Sequence, residues 1–300
     1  MDSIDNLKKH LDSARSLKQI ISTMKALSAT NIKKYEKTAL SLRKYMNNIY
    51  LGFQGVISQD YDILNYIEYV EQSEFKNKNS KNIMIVIGSN QGLCGKFNDR
   101  IVNFFIDNND KLDFSLENNM LITVGDKIFS TLSSKKVNIK KHLSLPTSIE
   151  NIVHIVYNIF SFINEYSKKS QNVYVFFTQY DTKSNGILTK KEIVPLEKDF
   201  FKDLLNKKWP TNNVPLWRVD TNVLLYDLVE QYMFINLYSA IANSMASEQK
   251  NRLNTLQGAE DNIKNDIADT TLKYNQTRQS VITSNLIDTV SGYKSLVKKR

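Results

Sequence analysis

Apolar residues recur at steps of three and four through the first 51 residues and again from Leu216 onward, which is the spacing of a helical seam. Neither segment is broken up: the first contains no glycine or proline, and the second contains only Gly258 and Gly292. The pattern therefore predicts one very long helix at each end of the chain. The N-terminal seam consists of Leu7, Leu11, Ala14, Leu17, Ile21, Met24, Leu27, Ile32, Tyr35, Ala39, Leu42, Tyr45 and Ile49.

A helix that runs unbroken from Val223 to Val297 would be on the order of 110 Å long, too long for the core of a 300-residue globule. Such a helix is not stable alone with a thin apolar seam, but two of them can cover each other's stripes as a coiled coil. Because the middle of the chain must connect the two helices, we expect them to pair antiparallel. A bundle of shorter helices, with breaks at Asn-rich points such as Asn47 and Asn48, is the alternative that periodicity leaves open.

The middle of the chain alternates between short β-rich runs and helical patterns, and it contains most of the glycines and prolines. This alternation predicts a mainly parallel α/β sheet with helices on its faces. The predicted domains are an N-terminal coiled-coil helix at 1–58, an α/β domain at 80–208 and a C-terminal helix at 216–300 that pairs with the first. The predicted strands are Asn82–Ile87, Met120–Val124, Val173–Thr178 and Gly186–Pro195, and the predicted helices are Phe97–Ile106, Asp126–Ser133 and Ile149–Tyr166.

The charge balance is basic, with a formal net charge of +9 and a pI near 9.3. Of this, +6 falls in the first fifty residues, which carry ten Lys or Arg against four Asp or Glu. Such a balance admits nucleic acid, an anionic membrane surface or an acidic protein as the partner. The single cysteine, Cys94, excludes an internal disulfide, and no run of apolar residues suggests a signal peptide or a membrane span. We expect a soluble, intracellular protein.

The one stretch that suggests nucleotide chemistry is "GSNQGLCGKFN", from Gly88 to Asn98, which follows a predicted strand. It lacks the Gly-Lys-Ser/Thr ending of a Walker A loop, because Phe97 follows Lys96, and its glycine spacing is not that of the Rossmann fingerprint. Lys96 at a helix start could hold an anion, but a structural strand-to-helix turn explains the glycines better. The residues assigned to this turn are Gly88, Gly92, Cys94 and Gly95.

Other catalytic or metal-binding patterns are lacking. The three histidines, His10, His142 and His154, are far apart in the sequence and show no metal-ligand spacing. Cys94 has no obvious histidine partner, so packing is its expected role. The sequence therefore predicts no cofactor, no metal and no catalytic residue in this chain.

Three segments together resemble the γ subunit of F-type ATP synthases. "SARSLKQIISTMKALSA" is similar to the N-terminal helix motif of that family, and "GSNQGLCGKFN" is similar to the turn in its α/β domain. The strongest similarity is "SEQKNRLNTLQGAEDNI" followed by "TLKYNQTRQSVITSNLIDTVSG", which resembles the C-terminal helix motif. The resemblance covers the full chain in order.

The resemblance implies a Rossmann-like α/β domain flanked by N- and C-terminal helices that form a long antiparallel two-helix coiled coil. It implies a non-catalytic central-stalk rotor that turns inside an α3β3-type ATPase ring, where the ATP sites belong to the ring. The foot would meet an ε-like subunit and a membrane c-ring, so the chain would contact the membrane only through the complex. The expected location is the cytoplasmic face of the plasma membrane, or an organelle inner membrane, as a peripheral subunit.

The resemblance also assigns site residues. Arg278 and Gln279 stand where the family's catch engages loops of a β subunit. Lys25 aligns with a lysine of the N-terminal motif and is assigned to the same partner contact, and its neighbours Met24 and Leu27 are expected to pack in the coiled coil. A forked guanidinium and an amide are suited to acidic and carbonyl partners. The apolar rotor tip that would turn in the collar of the ring consists of Val281, Ile282, Leu286, Ile287 and Val290.

Several residues depart from the family pattern, among them His10, Asn31, Asn90 and the basic end formed by Lys298, Lys299 and Arg300. They leave open a γ-like shaft of a paralogous rotary ATPase that drives work other than proton translocation. Two further interpretations are a basic coiled-coil binder of nucleic acid, which predicts salt-sensitive affinity of the isolated chain for DNA or RNA, and a nucleotide-binding enzyme. We predict no nucleic-acid partner.

Overall fold

The computed structural model describes residues 3–59, 81–109, 119–166, 171–196, 198–213 and 215–297. In these residues the chain forms six helices and five strands. The helices are α1 (Ile4–Gln59), α2 (Phe97–Asp107), α3 (Asp126–Ser134), α4 (Ile152–Tyr166), α5 (Lys198–Leu205) and α6 (Thr221–Val297). The strands are β1 (Lys81–Ile87), β2 (Asn119–Val124), β3 (Lys141–Leu143), β4 (Gln171–Gln179) and β5 (Ile187–Val194).

Both terminal helices are unbroken, 56 residues in α1 and 77 in α6, so the prediction of long helices is confirmed over a bundle of short ones. The absence of proline and the scarcity of glycine allow the backbone hydrogen-bond ladder to run on without a break. The chain divides into two compact units, one made of residues up to Ala29 and from Arg252 onward, the other of Thr30–Asn251.

The unit of Thr30–Asn251 is built on a five-stranded sheet of order β3-β2-β1-β4-β5. β1 pairs parallel with β2 and with β4, β2 pairs parallel with β3, and only the β4–β5 pair is antiparallel. The prediction of a mainly parallel α/β sheet is confirmed. The chain builds the sheet outward from β1 to β3 and then returns to the other side of β1, so the order reverses between β1 and β4.

The two faces of the sheet carry different helices, as the alternation of side chains along β1 shows. Ile83, Ile85 and Ile87 point into a core shared with α1, α4, α5 and α6. Met84 and Val86 point into a second core, which α2 and α3 cover. Within the described residues no helix is both long and apolar enough to cross a bilayer.

In the other unit, α1 lies antiparallel to the part of α6 that contains Gln257, Glu260 and Asp266. His10 Nε2 is 2.9 Å from Asp266 Oδ2, whereas Lys25, further along α1, contacts Gln257 and Glu260, which come earlier in α6. The partner's number falls as the α1 number rises, which is the mark of antiparallel pairing. The buried seam of α1 in this unit is Leu7, Leu11, Ala14, Ile21 and Ser28.

Three members of the predicted seam were placed wrongly. Leu17 is 49% exposed, Leu27 is 60% exposed and Tyr45 is 44% exposed, although all three were expected to pack in the coiled coil. The seam passes instead through Ser28, which is 1% exposed. On an α-helix a shift of one residue moves a side chain by about 100°, so a seam through Ser28 turns Leu27 toward solvent.

Candidate functional site

The distal part of α6 is the most exposed helical segment in its unit. Every residue from Arg278 to Lys294 is exposed, including the predicted catch residues Arg278 and Gln279. The same holds for the predicted tip, which comprises Val281, Ile282, Leu286, Ile287 and Val290. A helix that exposes an apolar stripe and a forked cation together offers a surface for a protein partner.

α1 adds a second exposed apolar stripe in the same unit. Leu17, Ile20 and Leu27 are all largely exposed, and Met24 lies between them at the same helical spacing. Steps of three, four and three residues place the four side chains on one face of the helix, next to the buried seam. Two adjacent stripes, one buried and one exposed, mean that α1 has a face beyond the one that α6 covers.

Lys25 does not lie free on this surface, although the sequence assigned it to a partner contact. Its ammonium donates to Glu260 Oε2, and over 2.6 Å to Gln257 Oε1, both on α6. The Glu260 side chain is only 10% exposed, and Lys264 Nζ lies 3.5 Å from its other oxygen. The hydrogen bond from Lys25, with the nearby positive charges, lowers the pKa of Glu260. The pair therefore links the two helices in one register.

The glycine turn after β1 has its polar groups engaged internally. The Ser89 amide donates to Asn98 Oδ1 over 3.0 Å, and Asn98 Nδ2 returns a bond to the Ser89 hydroxyl over 2.8 Å. The Cys94 thiol is buried and lies 3.6 Å from the Gln91 carbonyl oxygen. A phosphate cradle needs amides that point at the ligand, whereas the first two amides of this turn are already bonded, that of Gly88 to the Val124 carbonyl and that of Ser89 to a side chain.

The three glycines of the turn serve different needs. A side chain on Gly88 would lie 2.4 Å from Ile128 Cβ, whereas a side chain on Gly92 would meet nothing within 4 Å. Gly95 has a φ of 59°, the left-handed region that costs other residues energy. Gly88 thus permits close packing of α3 on the turn, and Gly95 permits the reversal into α2.

Asn90 is a structural residue that sequence reasoning noted only as a departure from the family pattern. Its Oδ1 accepts from the amides of Leu145, over 2.8 Å, and Asp126, over 3.2 Å, and its Nδ2 donates to the Leu145 carbonyl over 2.8 Å. An amide both donates and accepts, which an aspartate cannot do when ionised. Asn90 therefore ties together the loops that follow β1, β2 and β3.

The reversal point between β1 and β4, where open α/β sheets bind ligands, is bridged by the chain itself. Arg100 of α2, the helix that follows β1, donates from its guanidinium to the carbonyls of Asn185 and Gly186, each over 3.1 Å. These carbonyls belong to the connection after β4. The cation that could have bound a phosphate here is committed to backbone oxygens.

His142 contacts a carboxylate, an aromatic ring and a hydroxyl group of neighbouring residues. His142 Nε2 lies 2.9 Å from Asp126 Oδ1, and its ring stacks on Phe129 with centroids 4.4 Å apart. The Thr123 hydroxyl lies 3.1 Å from the other ring nitrogen of His142. In the part of the chain that the structure describes, no three His, Cys, Asp or Glu side chains are grouped to hold a metal ion.

Comparison with known proteins agrees with this geometry. A protein-family model described as ATP synthase matches residues 3–296. An ATP synthase gamma chain of Rickettsia felis is 25% identical over 301 residues, which cover 99% of this chain and 100% of that relative. An ATP synthase gamma chain of Mycoplasma capricolum is 27% identical over 301 residues, which cover 97% of this chain and 98% of the relative.

Solved structures show the same fold. A chain in the Euglena gracilis mitochondrial ATP synthase, OSCP/F1/c-ring in rotational state 3, superposes with a TM-score of 0.64 at 15% identity, covering 98% of this chain and 94% of that one. A chain of the rotor of the same enzyme in rotational state 1 gives a TM-score of 0.61 at 16% identity, with 93% and 98% covered. With a family match over nearly its whole length and gamma chains that align with it end to end, this chain belongs to the ATP synthase family as a homologue of the gamma chains.

Proposed function

We propose that this chain is the central-stalk rotor of a rotary F-type ATPase, which couples rotation to conformational change at catalytic sites on a surrounding αβ ring. The observation that carries the proposal is the pairing of α1 with α6 in a unit where the distal part of α6, from Arg278 to Lys294, is exposed on every residue. Its relatives are named as ATP synthase gamma chains, and its structural neighbours belong to a rotor and to an F1/c-ring assembly.

An asymmetric helical pair explains how one chain can set three equal catalytic subunits into different states. Each subunit of the ring meets a different side of the stalk, so the stalk stabilises a different conformation in each. A ligand or partner shifts such an equilibrium only by its differential affinity for the two states. Rotation of the stalk moves that bias from one subunit to the next.

Contact with the ring requires side chains that can bind polar and apolar groups of the ring subunits. Arg278 and Gln279 supply a forked cation and a directional amide, which suit acidic or carbonyl groups on a ring loop. The exposed apolar tip of α6, from Val281 to Val290, suits an apolar collar, and the stripe of Leu17, Ile20 and Leu27 on α1 supplies a further apolar face. Lys25 acts in this proposal through its bond to Glu260, which holds the two helices in register.

The chain has no catalytic role in this proposal. The amide of Ser89 and the guanidinium of Arg100, which could have met a phosphate, are bonded within the chain. ATP chemistry is therefore assigned to the ring. Purified chain without the ring should hydrolyse no ATP, and hydrolysis by the isolated chain would contradict the assignment.

At its foot the chain is proposed to meet an ε-like subunit and a c-ring, as a peripheral subunit of a membrane complex. The proposed location is the cytoplasmic face of the plasma membrane or the corresponding face of an organelle inner membrane. Purification of the complex with a tag on this chain tests both partners: ε-like and c-like subunits should come with it. Recovery of the ring without them would favour the alternative, a rotary ATPase with another output.

The test of the catch uses the assembled complex and the double variant Arg278→Ala/Gln279→Ala. Truncating one side of a buried charged contact costs about 2–5 kcal/mol, so coupling of hydrolysis to rotation should fall tenfold or more while the chain stays folded. The matched control is Lys273→Ala/Gln276→Ala, an exposed cation and an exposed amide that lie earlier on the same helix. The assignment is wrong if both double variants couple like the wild type, or if both lose coupling equally.

A further inference from the structure

The connection between β4 and β5, residues 180–186, is held by hydrogen bonds to three helices. Two of these hydrogen bonds are made by Thr178, near the end of β4. The Thr178 amide donates to the Ser244 hydroxyl over 3.2 Å, and the Ser247 hydroxyl donates to the Thr178 carbonyl over 3.1 Å. Both serines and Thr178 are buried. Here α6 therefore bonds directly to the backbone of a sheet strand.

Three other side chains of α6 make hydrogen bonds with the connection. Asn243 Oδ1 accepts from the Tyr180 amide over 3.3 Å, and Asn251 Nδ2 donates to the Asn185 carbonyl over 2.9 Å. Between them, the Lys250 ammonium donates to a carbonyl in the same connection, that of Thr182. The side chains that meet the connection recur at the spacing of one helix face, so a single stripe of α6 binds its whole length.

The second long helix is attached at Tyr180. The phenol donates to Glu36 Oε1 on α1 over 2.7 Å. Burial, followed by the hydrogen bond and charge of Glu36, raises the pKa of Tyr180 to about 12. The phenol therefore stays protonated, and able to donate, at any physiological pH.

The third helix fixes the far end of the connection. Arg100 of α2 binds the carbonyls of Asn185 and Gly186, as described above. Gly186 has a φ of 92°, and a side chain on it would lie 2.4 Å from Thr178 Cγ2 and 3.0 Å from Ser247 Oγ. The backbone at this point is packed too closely to turn independently of α6.

We infer that the β4–β5 connection is the joint through which the sheet turns both long helices, with Tyr180, Ser244 and Ser247 as its positioning residues. Apolar packing is non-directional, whereas hydrogen bonds fix distance and angle. The joint bonds to α1, α2 and α6 at once, so a rotation of the sheet reaches both long helices through directional bonds. This inference rests on the proposed rotor function.

The test is made on the complete complex in vesicles, with Tyr180→Phe and with Ser244→Ala/Ser247→Ala. The matched control is Tyr45→Phe, because the Tyr45 hydroxyl donates to Gln231 Oε1 over 2.8 Å and links α1 to α6 without touching the sheet. Two quantities are measured: protons pumped per ATP hydrolysed, and hydrogen exchange at the Thr178 and Tyr180 amides.

The serine pair should speed exchange at the Thr178 amide by about tenfold, the factor that follows from losing a hydrogen bond that closes a local structure. Both joint variants should lower the pumping ratio while ATP hydrolysis continues, and Tyr45→Phe should leave the ratio unchanged. Glu36→Gln keeps an acceptor oxygen for Tyr180 and should retain pumping, whereas Glu36→Ala should lose it. A merely structural role would let Glu36→Ala lower the stability of the chain while leaving the pumping ratio at the value of Glu36→Gln.

The possible failures are distinct. If the wild-type chain does not assemble with the ring, the proposed rotor function fails. If the wild type assembles and pumps, but Tyr180→Phe and Glu36→Ala pump at the wild-type ratio, the joint is overturned. If the serine pair fails to fold, Tyr180→Phe and the two Glu36 variants still decide, because each alters one partly buried bond only.

Discussion

Gly88→Ala is the substitution for which the structure gives the firmest magnitude. The added methyl would lie 2.4 Å from Ile128 Cβ and 2.8 Å from Asn98 Oδ1. Carbon atoms in contact prefer about 3.5–4.0 Å, so α3 or the turn must move by more than an ångström. Overpacking of this kind costs about 1–3 kcal/mol, and displacing Asn98 from the Ser89 amide adds about 1 kcal/mol. We expect Gly88→Ala to lower the free energy of unfolding by about 2–4 kcal/mol.

The two other glycines of the turn serve as internal controls. Gly92→Ala meets nothing within 4 Å and should change the free energy of unfolding by less than about 0.5 kcal/mol. Gly95→Ala must adopt a φ of 59°, which costs about 1–2 kcal/mol. The expected order of damage is therefore Gly88, then Gly95, then Gly92.

The assay is urea unfolding followed by tryptophan fluorescence, since Trp209 and Trp217 lie in the same unit as the turn. A change in midpoint without a change in slope reports stability alone. Equal midpoints for Gly88→Ala and Gly92→Ala would refute the reasoning, because the same methyl would then be tolerated in a crowded and in an open site. Loss of partner binding by Gly92→Ala at unchanged stability would also refute it, because the turn would then be a contact site.

Three further tests, two of them with a comparison substitution, address separate parts of the structure. Thr178→Val should raise the free energy of unfolding by about 1 kcal/mol, because the Thr178 hydroxyl is buried without a hydrogen-bond partner among the described residues. Thr123→Val should lower it by about 1 kcal/mol in the same urea assay, because the Thr123 hydroxyl lies within hydrogen-bond distance of His142. Leu11→Ala should cost about 2–5 kcal/mol and Leu17→Ala almost nothing, measured by thermal unfolding, because only the first side chain is buried. Glu260→Gln should remove stability that the wild type holds at neutral pH, measured by unfolding from pH 7 to pH 3.

The sign of the pH effect follows from the depressed pKa of Glu260. Its ordinary value is 4.5 and the folded value lies below it, so the ionised form is favoured in the folded chain. The contribution is present above pH 4.5 and is lost as the pH falls through the folded pKa. The stability difference between wild type and Glu260→Gln should therefore shrink on acidification. A difference that is constant with pH would contradict the ion pair, and equal effects of Leu11→Ala and Leu17→Ala would contradict the seam.

The long helices and four of the five described strands could be predicted because their signals are local and long. The uninterrupted seams and the β-rich runs each extend over many residues, so single exceptions do not hide them. Strand β3 and helix α5 were missed because three residues, Lys141–Leu143, and eight, Lys198–Leu205, are too few to show a period. The resemblance to the family gave the function, which periodicity alone could not.

The contacts of several individual residues could not be predicted from the sequence, for a different reason. Leu17 and Leu27 fit the spacing of a seam, but α1 carries two apolar stripes side by side, and a count along the sequence cannot tell which one meets α6. The burial of Ser28 and the contacts of Lys25 depend on which residues of α6 lie opposite them. The bond from Tyr180 to Glu36 joins positions 144 residues apart, and no local pattern announces such a pair.

The exposed end of α6 has a consequence for how the protein is made. An isolated helix is marginally stable in water, and every residue from Arg278 to Lys294 is exposed. In the proposed assembly the ring packs against this segment, so insertion of the stalk should stabilise these last turns. Unassembled copies should therefore be cleaved here by proteases more readily than assembled ones. The same segment that would grip the ring would mark any stalk left without one.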